Sequence, residues 1–426
     1  MKPTDFVEYG QLKLPDDFPK ALPFDLFRDF DGKIKHNFDF EVVKNGYPNV
    51  YLNGVSGTDS HDGLSEATAV QTLAKAMAIA DGLPADTVNV FFMEKFIPCT
   101  ALTGGASAAF TLSKNINLLS AQTGGTYITT AYRHTDYTWT KERQTYQTGC
   151  SSVYKVYDYK HKDLRGHPRE LKQVNSLEEN NVQPGTWFAD GELLRVHRLD
   201  GLAPDADLTI IVPSNVQLGL HLNGFKLYME KINFWLNQPD LTASSVSISG
   251  NPTSDIIINQ CSAAMSRKNG FEINKFRNCY VFDSVAFDCG YDGFNYHGTS
   301  VPDPSEFVFE YYCYSYNHGH VVKGTGNATS AHNGMSVIRI GAVGHDTVGP
   351  VLADVNGCDS LNIDCTMYNS LRSPGRTKAA FYFDEAAAVK KGKAWLINCR
   401  GGGTDTFTVN TDGKTQVEVR NLHELK

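Results

Sequence analysis

A six-residue unit recurs along the second half of this 426-residue chain and limits what the chain can become. It reads NGFEIN at 269 to 274, DGFNYH at 292 to 297, HGHVVK at 318 to 323, GPVLAD at 349 to 354, AAFYFD at 379 to 384 and DTFTVN at 405 to 410. The last letters of successive units fall 23 to 31 residues apart, the spacing of one coil of a β-solenoid. Side chains alternate along a strand, so the third and fifth letters face one way and the fourth and sixth the other. The first set (Phe271 and Ile273, Phe294 and Tyr296, His320 and Val322, Val351 and Ala353, Phe381 and Phe383, Phe407 and Val409) is predicted to be interior. The sixth letters, Asn274, His297, Lys323, Asp354, Asp384 and Asn410, include no apolar residue and are predicted to form a solvent row.

A second strand set interleaves with the first: IIIN at 256 to 259, YVFD at 280 to 283, FVFE at 307 to 310, VIR at 337 to 339, LNID at 361 to 364 and WLIN at 395 to 398. Each places an apolar residue directly before a polar one, giving a second polar row of Asp283, Glu310, Arg339 and Asp364. Two strand families with a shared, drifting period predict an all-β chain folded as a right-handed parallel β-helix, with each row a ladder of side chains about 4.8 Å apart. Charged residues make up only 20% of the chain, while Gly, Tyr and Phe number 37, 20 and 24. That balance suits short strands and tight turns.

Residues 1–46 carry Pro3, Pro15, Pro19 and Pro23 without periodicity and are predicted to be an extended arm lying on another subunit or on a carrier. The solenoid is predicted over 47–410, with a Tyr-rich insertion at about 131–180 and a C-terminal cap over 411–426. In 49–82 a short strand leads through a Gly/Ser/Asp turn into a helix predicted from about Thr68 to Ala80. The aromatics of the insertion, among them Tyr132, Tyr137, Trp139, Tyr157 and Tyr159, serve equally as platforms for sugar rings or as the packing of a small β-subdomain. In 184–201, Asp190 and Gly191 supply a hairpin turn.

The formal charge of −8 argues against a nucleic-acid groove, which needs basic residues to offset phosphate. No apolar run reaches the roughly 18 to 20 residues of a membrane span, and MKPTDFVEYG lacks a signal-peptide core. Synthesis in a cytoplasm without membrane insertion is therefore expected. The nine cysteines show no CxxC or Cys/His spacing and are expected to be reduced, buried core residues. No cofactor is expected, although Asp59 and Asp62 in the acidic turn have the chemistry of a calcium loop.

The polar rows are where chemistry can sit. Asp354 and Asp384 are predicted on adjacent coils about 5 Å apart, a separation that suits paired-carboxylate glycoside hydrolysis, with His297 and Lys323 on the same row. Glu310, Arg339 and Asp364 of the second row read as acid, substrate clamp and base, or as an ion-pair ladder. Asp292 and His318 open their units, His332 sits in the segment SAHNG, and Tyr382 faces the same side as Asp384. With Arg339 these are the substrate-binding candidates. Loops at 298–305, 324–336 and 385–394 are predicted to wall the groove.

Over 49–410, the strand, turn and helix entry and the succession of rungs resemble the pectate-lyase-like β-helix superfamily. DGFNYHG at 292–298, NATSAHNG at 327–334 and the following VIRIGAV and GPVLADV are similar to bacteriophage tailspike-type proteins. That resemblance implies a homotrimeric spike on a virion tail, attached to the particle through the arm, that cleaves a capsular, O-antigen or exopolysaccharide chain. Two departures stand against it: no head domain is recognisable beyond the arm, and the basic cluster with calcium aspartates of pectate lyases is absent as a motif. Three functions follow in order: a hydrolase using Asp354 and Asp384, a lyase using His297 or Lys323 as base, and a glycan adhesin without catalysis.

Overall fold

The computed structural model describes residues 10–102, 108–129, 131–133, 137–150, 153, 155–162, 168–205, 207–211, 218–235, 244–299, 305–319, 326–371, 377–384, 391–410, 415–421 and 423–425. Three long parallel sheets of eleven, ten and nine strands wrap around a common core. One coil runs through Phe271–Asn274 of the nine-stranded sheet, Asn278–Phe282 of the eleven-stranded sheet and Val285–Phe287 of the ten-stranded sheet. The next coil begins at Phe294–His297. Successive coils pair in register, with Phe271 beside Phe294, Asn278 beside Phe307 and Val285 beside Tyr314. The chain is a parallel β-helix, and the two strand families read from the sequence, HGHVVK excepted, are its nine- and eleven-stranded sheets. The ten-stranded sheet is the part the sequence reading lacks, because several of its strands are only three residues long and too short to show alternation.

From Lys231 onward, a left-handed residue links the eleven- and ten-stranded sheets in successive coils. Lys231, Gln260, Asp283, Tyr312, Gly341, Asp364 and Asn398 all have φ between 45° and 61°, a region costly for most L-residues and tolerated best by Gly and Asn. Their backbone N–H groups reach the next coil: Gln260 to the Phe282 carbonyl (2.9 Å), Asp283 to Tyr311 (2.8 Å), Tyr312 to Ile340 (2.8 Å), Gly341 to Ile363 (2.8 Å) and Asp364 to Ile397 (3.0 Å). The residue after each of these turns is buried, and after Ile232, which follows Lys231, it is small in every case: Cys261, Ser284, Cys313, Ala342, Cys365 and Cys399. This position accounts for four of the nine cysteines, Cys261, Cys313, Cys365 and Cys399, and all nine are buried.

At the first coils, α1 is Phe40–Lys44 and α2 is Leu73–Gly82. Helix α2 starts five residues later than the periodicity predicts, because Glu66–Thr68 forms a separate 3-10 turn. It buries Leu73, Ala76, Met77 and Ala80 in the same core cluster as Val50, Leu52, Val88 and Val90, covering strands at the edge of the eleven-stranded sheet. Both turn carboxylates are engaged in hydrogen bonds. Asp59 Oδ1 accepts from the backbone of Gln71 and Thr72, and Asp62 Oδ1 accepts from the backbone of Leu64 and the Thr68 hydroxyl.

Between Thr129 and Leu218 the solenoid is interrupted by a subdomain longer than the 131–180 insertion predicted. It holds a four-stranded antiparallel sheet and a five-stranded, largely antiparallel one, including the expected hairpin of Thr186–Ala189 and Leu193–His197 around Asp190 and Gly191. Its Tyr157 and Tyr159 are buried against Trp235, with centroids 5.7 and 5.6 Å apart, on the outer face of the ten-stranded sheet. For these two rings the packing reading holds. Lys155 adds an ion pair to Asp288 at 2.7 Å.

The N-terminal arm lies on this chain's own eleven-stranded sheet. Its Phe24, Phe38 and Phe40 close over an outer stripe of Tyr280, Phe282, Phe309, Tyr311, Ile338 and Leu361. Phe282 meets Phe38 and Phe40 at 5.1 and 5.0 Å and is fully buried. Phe282→Ala is expected to cost about 3 to 5 kcal/mol, read as a lower denaturant midpoint with secondary structure unchanged below it.

Candidate functional site

The nine-stranded sheet turns Phe271, Ile273, Phe294, Tyr296 and Ala331 into the core. By alternation, Glu272, Asn295, Ser330, Ala353 and Tyr382 point outward as one row, and Asn274, His297, His332, Val355 and Asp384 as a second. Successive members sit on neighbouring strands, about 4.8 Å apart. The first row is buried at Asn295, Ser330 and Ala353, whereas His297, His332, Val355 and Asp384 are half-buried.

Four groups converge on the strands Phe271–Asn274, Phe294–His297 and Thr329–His332. His297 and His332 pair across the ladder with rings stacked 4.1 Å apart and 9° from parallel. Burial lowers the His297 pKa; Glu272 nearby works against this and Lys268 adds to it. His332 is pushed down to about 3 by burial, with the His297 ring reinforcing the shift. Both imidazoles are therefore neutral near pH 7, and His332 Nε2 is buried without a hydrogen-bond partner among the described residues. Beside them, Lys268 holds Glu272 at 2.6 Å.

Asp292 anchors the other side of this patch. Its Oδ2 accepts from Asn295 Nδ2 and the Ser330 hydroxyl, each at 2.7 Å, and its Oδ1 accepts from the Asn327 backbone at 2.7 Å. Burial raises its pKa, those three donors pull it back in part, and Glu272 raises it further. The carboxyl fixes side chains on two adjacent strands. Two strands beyond Thr329–His332, Tyr382 donates to Asp384 Oδ2 at 3.1 Å.

Several candidates from the sequence stand elsewhere. The rung after His297 is Thr329–His332, not HGHVVK, so His332 replaces Lys323 in the row. Lys323 itself lies outside the described residues, as do 300–304, 324–325 and 385–390 of the three predicted wall loops, and the predicted loop 324–336 instead contains the strand Thr329–His332. At the next rung the register slips by one: Asp354 pairs with Ala331 and Phe383, so Val355 stands beside Asp384. Asp354 consequently points inward, and the two aspartates do not form an outward carboxylate pair.

Inside the core Asp354 receives Arg339, with Nη1 to Oδ2 at 2.7 Å and Nη2 to Oδ1 at 2.9 Å. Arg339 Nε lies 3.2 Å from Glu310 Oε2, and the Thr329 hydroxyl donates to Glu310 Oε1 at 2.6 Å. All three charged groups are buried. Burial works against the Arg339 charge, but Asp354 and Glu310 more than offset it and hold the guanidinium above its ordinary pKa. Glu310 and Arg339 are thus neighbours, as the second row predicted, but on the inner face.

Asp364 belongs to the left-handed turn column, where it accepts from Arg28 of the arm at 2.9 Å. His318 is buried, its Nε2 2.9 Å from the Ser315 hydroxyl and its Nδ1 accepting from the Cys289 backbone at 3.3 Å. Since the Ser315 hydroxyl donates to the Ala328 carbonyl, His318 carries its proton on Nε2 and is a neutral structural group. Neither residue shares the outward face of His297. The residues the sequence reading missed are Glu272, Lys268, Asn295 and Ser330; the first two could have been found from K-x-x-x-E at 268–272, immediately before an outward-facing sheet position.

No protein-family model matches the chain, and no curated protein does. Among solved structures the chain is similar to a glycoside hydrolase, over 88% of this chain and 96% of that one, with TM-score 0.49 and 9% identity. It is also similar to pectate lyase Pel9A, over 86% and 78% with TM-score 0.41 and 10% identity. A rhamnogalacturonan lyase matches over 84% and 69% with TM-score 0.38 and 11% identity. The fold itself is defined by the strand pairing of this chain.

Two outcomes follow from these environments. Arg339→Leu strands two carboxylates in the core and is expected to cost about 3 to 5 kcal/mol, measured by equilibrium denaturation. His332 has a folded-state pKa below its ordinary 6.5, so the unfolded chain binds the extra proton. The stability this histidine contributes is complete above about pH 6.5 and drains away as pH falls toward about 3. His332→Asn is expected to flatten the decline in melting temperature between about pH 7 and about pH 4 relative to the parent protein.

Proposed function

We propose that this protein is a polysaccharide-cleaving enzyme whose substrate crosses the outer face of the nine-stranded sheet, and that it cleaves by β-elimination beside a uronate carboxylate. The observation that carries this reading is the stacked, neutral His297–His332 pair beside the Lys268–Glu272 ion pair. A neutral imidazole at neutral pH is a base already in its working form. His297, the less enclosed ring, removes the proton on the carbon next to the carboxylate. The electrons form a carbon–carbon double bond, the glycosidic C–O bond breaks, and the imidazolium returns its proton to the departing oxygen. Lys268 leaves Glu272 to neutralise the substrate carboxylate, and Asn274, adjacent to His297 on the next strand, offers an amide to the same group.

Hydrolysis is the second reading, favoured by one observation: Asp292, a carboxyl whose pKa burial raises, lies beside the same patch as the candidate acid. Asp354 takes no part in either reading, since it is committed to Arg339. The sequence likeness to tailspike-type proteins supports a bacterial surface polysaccharide as the target and a trimeric, particle-borne assembly. An adhesin would bind the same chain and leave its length unchanged.

Incubation with a panel of uronate-containing bacterial polysaccharides separates the three. Elimination is expected to give products that absorb in the ultraviolet and carry no added water, and His297→Ala should lower the rate by at least about a hundredfold while binding persists. Products heavier by one water per cut would replace this mechanism with hydrolysis, and polymer bound but intact would leave an adhesin.

A further inference from the structure

A cleft of about 280 Å³ opens at the opposite end of the arm from its proline-rich start, on the outer face of the eleven-stranded sheet, and none of its residues belongs to the site above. Its floor is the ladder Phe91, Leu119 and Glu230, three outward residues on successive strands. One wall is the chain leaving α1, with Lys44 and the half-exposed Tyr47 around Gly46, whose φ of 84° shapes the turn. Beside the floor runs an amide ladder. Asn89 Nδ2 donates to Asn49 Oδ1 at 3.0 Å and to the Lys44 carbonyl at 2.9 Å, and Asn117 Nδ2 donates to Asn89 Oδ1 at 2.8 Å. These bonds tie the floor to the Lys44 segment without a ligand.

Charge and size restrict what fits. Glu230 and Glu41 share Lys44, at 3.1 and 3.0 Å, so among the described residues this trio of the rim carries one net negative charge and disfavours anions. Glu230 Oε1 accepts only from Lys44 among the described residues, which leaves it acceptor capacity for a hydroxyl. Phe91, backed by the buried Leu119, makes the floor apolar. The volume lies just below the roughly 300 to 1,000 Å³ of drug-sized ligand sites, and so suits a single ring. A face of C–H groups with hydroxyls around its edge is the chemistry of a neutral pyranose.

We propose that this cleft is a second glycan-binding site, taking one uncharged hexopyranose unit, on a different sheet from the cleavage site. It does not depend on the β-elimination reading, because it involves no residue of the nine-stranded sheet and no bond is broken there. A glycan held at two faces would keep a polymer on the enzyme between cuts, in the way that linked sites raise retention without new chemistry.

The test uses the full chain and saturation-transfer NMR with the methyl glycosides of glucose, galactose, mannose and N-acetylglucosamine, and with methyl glucuronoside as the anionic probe. At least one neutral glycoside is expected to bind with millimolar Kd, and Tyr47→Ala to weaken it by about tenfold. Phe91→Ala should do the same, and the glucuronoside should bind at least about tenfold more weakly than the best neutral sugar. Tyr47 sits in a half-exposed turn, so its variant reports on binding even if Phe91→Ala fails to fold. The proposal is overturned if no neutral glycoside binds, if binding survives Tyr47→Ala, or if the glucuronoside binds as well as the neutral sugars.

Discussion

The hydrogen bond that each left-handed turn residue sends to the coil above it sets the register on which every other feature depends. With Gln260 bonded to Phe282, Asp283 to Tyr311 and Tyr312 to Ile340, the eleven-stranded sheet cannot slide by one residue without reversing which side chains face the core. The small residue after each turn, from Cys261 to Cys399, then packs against its counterparts. Where the turn residue is Lys231, Gln260 or Tyr312 in place of Gly or Asn, the backbone is held in a costly conformation by the ladder around it.

Much of this architecture is legible in the sequence, and the places where it is not have physical causes. The units ending at Asn274, His297 and Asp384 announce themselves because Phe and Ile alternate with polar residues. The rung Thr329–His332 does not, since TSAH has only Ala331 as an apolar member and the louder HGHVVK precedes it. The slip at Asp354 follows Gly349, at φ 124°, and Pro350, a pair that ends one strand and restarts the next one residue out of step. A period-2 pattern inverts under such a slip, which is why a residue assigned to solvent is found in the core.

The same inversion separates two kinds of polar ladder. Outward, His297 and His332 stack as neutral rings with a half-buried edge available for chemistry. Inward, Glu310, Arg339 and Asp354 satisfy one another and have no outlet to solvent. From sequence both are simply polar residues recurring at the coil period. Only the face decides whether such a residue is a reagent or a tie between coils, and the face is fixed by bonds to residues a full coil away.

The arm runs the length of the solenoid against the direction of the coils. Phe18 meets Trp395 at 5.5 Å, Arg28 meets Asp364, the Ile34 carbonyl accepts from Tyr311 at 2.8 Å, Phe40 packs on Phe282, and Lys44 reaches Glu230. Phe18 of the arm therefore waits for a partner, Trp395, that is made 377 positions later. The stack of coils can grow one turn at a time during translation, but the strap across its side can be fastened only once the far end exists, so seating of the arm comes after assembly of the barrel-like body and locks all its turns together in one closing step.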